Sequence, residues 1–199
     1  ILLQKNVPVD KIQKYQSLLS SPNKESFFLK EKLELTKLCF KNKTLAKLKQ
    51  STEFEKHVNK WFWLNYGYQG PVWTKDDFLN RAGEIFKEKS LSKSIGKQQA
   101  ELPLLRRKQK TLSKKLKLSE KENYFFETAR LFTFLKGYRI ETRHRYSYAL
   151  DQIFVELGKR FHLPLSFFRY ATKGEIMSAI SGKKIQSEKI LKRRQNMLY

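Results

Sequence analysis

Three histidines and one cysteine are the residues of this 199-residue chain with the widest chemical repertoire, and their spacing gives them little to work with. His57, His144 and His162 lie 87 and 18 residues apart, without the ligand pattern that a zinc-type site needs. A single cysteine, Cys39, excludes an intrachain disulfide and a thiolate metal cluster. Cys39 belongs to an apolar helical stripe and reads as a buried structural thiol, not a nucleophile. Gly67-Tyr68-Gln69-Gly70 lacks the strand before it and the Lys-Ser/Thr after it that make a phosphate loop. No nucleophile elbow supports a Ser-His-Asp arrangement. The expectation is a chain with no catalytic residue, cofactor site or metal site of its own.

Charge is the next chemical resource. Lys+Arg is 42 against 19 Asp+Glu, a formal net charge of +23. Residues 87–121 carry twelve Lys/Arg and three Glu, a net of +9, interleaved with Leu102, Leu105, Leu112, Leu116 and Leu118. Such a surface suits phosphate attraction, and Tyr and Trp could stack bases. The charge is nevertheless spread over three regions, and no nucleic-acid-binding motif accompanies it.

The elements that must position these groups are helical. Apolar residues recur at helical spacing over about 10–19, 25–41, 45–61, 75–86 and 99–115, and again from Glu120 to about Phe161. The last pattern, roughly 42 residues, would span about 63 Å. Three capping boxes are legible: Thr74 with Asp77, Ser119 with Glu122, and Thr172 with Glu175. The third opens a short helix through Ile180, with Gly182 placed as its C-terminal cap. A last helix begins near Ser187 and runs to the end at Tyr199. Ser90–Gly96, rich in serine, lysine and glycine, reads as a flexible joint. No segment alternates with period two for long enough to make a strand. The expected fold is all-α, a multi-helix array with one long helix at about 120–162. It divides into an N-terminal helical subdomain, 1–95, and a basic C-terminal subdomain, 96–199.

Two features stand out on this frame. Aromatics crowd residues 61–73, and His57, Trp61, Trp63 and Tyr68 are expected to pack around a Gly70-Pro71 turn as core. On the long helix, Phe125, Ala129, Phe132, Leu150, Phe154, Leu157 and Phe161 share one face within about 40°. Lys136, Arg139 and Arg143 interrupt that face. Either these cations meet an acidic partner, a nucleic-acid backbone or a phosphate, or the buried face rotates toward Leu131, Phe134, Leu135, Tyr138 and Ala149.

The chain starts at Ile1 and stops inside a helical pattern, which reads as a piece of a longer polypeptide, with processing as the alternative. Ile1–Leu3 is followed at once by Gln4, Lys5 and Asn6, so no secretory signal is visible. No apolar run approaches the roughly 18–20 residues of a membrane span. With a lone cysteine the expected setting is cytoplasmic.

Two blocks carry a resemblance. The first is His57, Trp61-Phe62-Trp63-Leu64, Tyr68-Gln69-Gly70-Pro71 and Thr74-Lys75-Asp76-Asp77-Phe78. The second is Ala129-Arg130-Leu131, Tyr138-Arg139, Thr142-Arg143, Glu156-Leu157-Gly158-Lys159-Arg160, Tyr170-Ala171-Thr172 and Glu175-Ile176. In order and spacing they resemble the helical region of phosphoenolpyruvate synthase-like and pyruvate phosphate dikinase-like proteins. In that family the region lies between the ATP-binding part and the swivelling phosphohistidine domain. The family's phosphorylated histidine sits in a Gly-rich Ser-His segment that has no match here, and His57 matches a recurring histidine of the helical region instead. Neither an ATP-grasp domain nor a pyruvate-binding barrel is present. The resemblance implies a non-catalytic helical connector. Its parent uses ATP and magnesium, and its partners are the ATP-grasp and phosphohistidine domains of the same polypeptide. The reading from a different class is a stand-alone basic helical protein that binds nucleic acid or an acidic protein partner.

Overall fold

The computed structural model describes residues 1–183 and 187–196. Among the described residues the regular elements are all helical, as expected. They are α1 (Val9–Ser20), α2 (Phe27–Asn42), α3 (Leu45–Lys49), α4 (Thr52–Trp61), a 3-10 turn (Phe62–Asn65), α5 (Lys75–Phe86), α6 (Leu91–Lys115), α7 (Glu120–Phe161), α8 (Leu165–Tyr170), α9 (Lys173–Ile180) and α10 (Ser187–Asn196). The expected end of the last helix at Tyr199 lies outside the described residues.

Local chemistry sets the helix starts. The three capping boxes form as read: Thr74 with Asp77, Thr172 with Glu175, and Ser119, whose hydroxyl accepts from the Glu122 amide while Glu122 accepts from the Ser119 amide. Gly182 takes φ +74 just past α9, where its amide donates to the Ala179 carbonyl. The expected joint at Ser90–Gly96 is instead the start of α6. Ser90 is its N-cap and accepts from the Lys93 amide, so the serine read as a joint closes a helix end. Running back to Leu91 leaves Pro103 inside the helix.

The chain forms two compact units, Ile1–His144 and Arg145–Tyr199. The boundary near residue 95 expected from composition falls inside the first unit, because α6 packs along α1 and α2. In this unit Leu35, Cys39, Leu48, Phe54, Trp61, Phe78 and Ala82 are buried, on the packed helices α2 to α5. A second cluster joins Leu2, Val7, Leu19, Leu112 and Phe126. Gln109 is buried here with its amide satisfied: it donates to the carbonyls of Leu18 and Ser21 and accepts from Asn23.

The unit Arg145–Tyr199 has its own core of Phe154, Phe167, Phe168 and Ile190. Gly158 and the residues after it show why α7 tolerates a glycine. The Leu163 amide donates to the Gly158 carbonyl, and His162 adopts φ 54 to turn the chain. A Cβ at Gly158 would lie 2.6 Å from the Leu163 carbonyl oxygen, whereas one at Gly137 would meet nothing within 4 Å. Gly158→Ala is therefore expected to destabilise this unit by about 1–3 kcal/mol. Gly137→Ala is expected to stabilise the chain by about 0.5–1 kcal/mol. Thermal denaturation of the two variants, moving in opposite directions from the parent, checks both.

Arg193 of α10 forms a bidentate pair with Glu175 of α9 and also donates to the Tyr170 carbonyl. The Arg193 hydrogen bonds, then the Thr172 amide, hold the Glu175 carboxyl down at about 2. A depressed folded-state value means the contribution is complete above the ordinary value of 4.5. It is lost as pH falls from there through about 2. Acid titration followed by α9 amide exchange is expected to show loss of protection in that window, and Glu175→Gln to abolish the pH dependence.

Candidate functional site

Trp61, Trp63 and Tyr68 of the first sequence block and Tyr138 and Arg143 of the second meet where α4 runs into the aromatic turn. Several of the neighbouring contacts are made by charged groups set into helix faces. On α2, Glu31 follows Phe28 by three residues and precedes Leu35 by four, a core position. It is fully buried. Arg81 of α5 pairs with both of its oxygens, and His57 of α4 lies 3.1 Å from one of them through Nε2. A carboxylate accepts, so His57 Nε2 is the donor in this contact. Nδ1 has no hydrogen-bond partner and lies 3.7 Å from Glu34. Arg81 stacks over Trp73 at 4.2 Å, and the His57 ring meets Phe78 edge-on at 5.4 Å.

Glu34, one turn further along α2, accepts from Trp61 Nε1 and from Lys60 Nζ, each at 2.7 Å. Burial raises the Glu34 carboxyl, but the hydrogen bonds from Lys60 and Trp61 outweigh it and hold the group below its usual range. Trp61 and Trp63 are buried, as expected. Their rings are 6.1 Å apart, and Phe27 lies against both.

Tyr68 corrects the sequence reading. It is 64% exposed and is not part of the core. The aromatic that closes the Gly70-Pro71 turn is Tyr66, whose ring would lie 2.9 Å from a Cβ at Gly70. Gly70 has φ +80, and its amide donates to the Tyr66 carbonyl. The Gly70-Pro71 peptide bond is cis. Tyr68 instead carries the Arg143 guanidinium over its ring, 3.6 Å from the centroid.

On α7 the expected first face is core only in its C-terminal part, where Phe154 is buried with Leu150, Leu157 and Phe161 packed against it; up to His144 neither expected apolar face is the buried one. Phe125 and Phe132 are 58% and 68% exposed, and Leu131, Leu135 and Tyr138 are also exposed. Lys136 and Arg139 are exposed as well. The inward residues are Phe126 and then polar groups that hold other elements by their backbone. Arg130 donates to the Leu19 carbonyl at the end of α1. Glu141 accepts from the Phe27 and Phe28 amides at 3.0 and 3.4 Å, supplying the start of α2 with the acid its own first turn lacks. His144 Nδ1 lies 2.7 Å from the Leu64 carbonyl. Tyr138 stacks on Phe27 at 5.1 Å. Of the three cations singled out, only Arg143 meets the aromatic turn, and its Nε is buried without a hydrogen-bond partner.

Sequence reasoning missed Glu31, Arg81 and Glu141. Their signal was an acid or base standing where the helical period calls for an apolar residue.

Cys39 is buried, and burial pushes its thiol up to about 12. It is expected to resist a maleimide for hours in native buffer and to react within minutes in denaturant. Rapid native labelling would contradict the packing of α2.

Among the described residues no group of His, Cys, Asp and Glu is arranged to hold a metal ion, and no helix is long and apolar enough to cross a membrane. What the geometry does is fix helices to one another through polar side chains that grip backbone ends. Family models, curated proteins and solved structures give no match to this chain.

Proposed function

We propose that the chain is the helical connector of a phosphoenolpyruvate synthase-like phosphotransferase, set between an ATP-binding part and a phosphohistidine domain in the cytoplasm. The supporting observation is the convergence of the two sequence blocks. Trp61 and Trp63 from the first reach Tyr138 from the second through Phe27. Tyr68 lies under Arg143 of the second, and His144, the residue after it, meets the Leu64 carbonyl. Residues some 70 to 80 positions apart thus build one braced junction, and the groups that could do chemistry elsewhere are engaged in bracing. In this role the connector supplies rigidity, while phosphate transfer from ATP and magnesium belongs to the neighbouring domains.

The coding sequence on either side of residues 1–199 tests this. A Gly-rich segment carrying a Ser-His pair is expected downstream. A stop codon directly after the Tyr199 codon contradicts the proposal.

A further inference from the structure

A groove of about 890 Å³ opens between α1, α2 and α6, lined from the turn before α6 as far as Lys108. Five lysines line it: Lys32 from α2, Lys89 from the turn before α6, and Lys93, Lys97 and Lys108 from α6. Glu88 and Glu101 also line it, so the lining carries a net +3. Among the described residues none of the five lysines pairs with a carboxylate, although ion pairs are formed by Lys5, Lys30, Lys41, Lys60, Lys75 and Lys87.

The placement of these cations works against the helix. The first turn of α6 holds no acid, and Lys93 sits in it, with Lys97 one turn on. The N-terminal end of a helix carries partial positive charge, so cations there are unfavourable and anions favourable. The start of α6 also brings a neutral donor. Ser94 Oγ accepts from the Gln98 amide, itself pinned on Thr36, and among the described residues the Ser94 hydroxyl proton has no acceptor. Lys89, Lys93 and Lys97 thus bring unpaired ammonium groups to the start of α6 beside the Ser94 hydroxyl and the positive helix end, while Lys108 lies fifteen residues, about 22 Å of helix, beyond Lys93.

We propose that this groove is a binding site for a compact oligophosphate group. The chemistry of the lining selects it among anions. The lysines are compact point charges of the kind that bind phosphate, and three of them at one helix start favour a small anion of high charge density. Among the described residues no aromatic side chain lines it, so nucleobases would find nothing there to stack on, and the apolar lining is Leu18, Leu104 and Leu105. The volume lies within the ~300–1,000 Å³ of small-molecule sites.

Because the whole chain is basic, the test must separate a site from diffuse attraction. Tripolyphosphate, orthophosphate, a thymidine oligonucleotide and polyglutamate are titrated calorimetrically into the full chain at low and physiological salt. The same titrations are run on Lys89→Gln/Lys93→Gln/Lys97→Gln and on a control that loses equal charge from exposed positions outside the groove, Lys47→Gln/Lys49→Gln/Lys56→Gln. Tripolyphosphate is expected to bind with one-to-one stoichiometry and more tightly than orthophosphate. The groove variant should weaken it about tenfold or more and the control less than about threefold, since screening limits the reach of distant charges. Circular dichroism establishes that both variants remain helical. Absence of saturable tripolyphosphate binding at low salt overturns the proposal. So does equal weakening in both variants, or groove-dependent binding confined to the oligonucleotide or to polyglutamate.

Discussion

Glu31→Gln is expected to lower the thermal midpoint of the chain by about 10 °C. Glu31 is fully buried and receives both Arg81 hydrogen bonds and the His57 contact. The glutamine keeps the volume and removes the charge. Arg81 then loses its counterion in a partly buried setting, and the amide cannot accept from two donors with both of its ends. Breaking a buried pair from one side costs about 3–5 kcal/mol. Arg81 retains some solvent contact, which places the loss near the lower figure of about 3 kcal/mol. At about 2–4 °C per kcal/mol for a protein of this size, the shift follows. Replacing the whole cluster, Glu31→Leu with His57→Phe and Arg81→Met, is expected to recover much of the loss, because no charge is then stranded. A shift under about 3 °C for Glu31→Gln would mean that the cluster is open to water and does not brace α2, α4 and α5.

Asp151→Asn should act as strongly on the residues from Arg145 onward. Asp151 of α7 is buried, and Arg169 of α8 donates to it through Nε at 3.1 Å to each oxygen and again through Nη2. This pair ties α8 down beside the Phe154, Phe167 and Phe168 cluster. The core there is small, so one buried ion pair is a large share of what holds it. A loss of about 3 kcal/mol corresponds to roughly a hundredfold faster amide exchange across α8 and α9. Hydrogen exchange read by mass spectrometry checks this peptide by peptide. Unchanged protection in α8 would contradict the role given to the pair.

Both predictions rest on residues whose importance the sequence left hidden, and the reason is physical. Helix starts are written locally: Thr74 and Asp77, Ser119 and Glu122, and Thr172 and Glu175 are each three residues apart, so their geometry is legible from spacing. The burial of Trp61, Trp63 and Cys39 was legible from apolar density. The inner face of α7 up to His144 was not. Its partners, Leu19, Phe27 and Leu64, lie 80 to 114 residues away and offer backbone carbonyls and amides, which any residue type supplies. A periodicity argument looks for apolar residues and so selected Phe125 and Phe132, which are exposed, together with Phe154, which is buried. Tyr68 failed for a related reason, since Arg143 gives an exposed ring a specific contact that aromatic density alone cannot distinguish from core. The boundary near residue 95 failed because a change of composition at the start of α6 marks a capped helix, not a break in packing.

Labelled ATP tests the connector role most directly. The chain is incubated with magnesium, γ-labelled ATP and pyruvate, then assayed for acid-labile phosphohistidine. Phosphoryl transfer requires the phosphates and metal to be held in line with a positioned acceptor, and basic residues alone attract without aligning. The connector role predicts no stoichiometric label on residues 1–199, with label on a histidine outside them when the flanking coding sequence is expressed as one polypeptide. Stoichiometric labelling of the chain by itself, abolished by His57→Ala, would contradict it and make His57 a phosphate carrier.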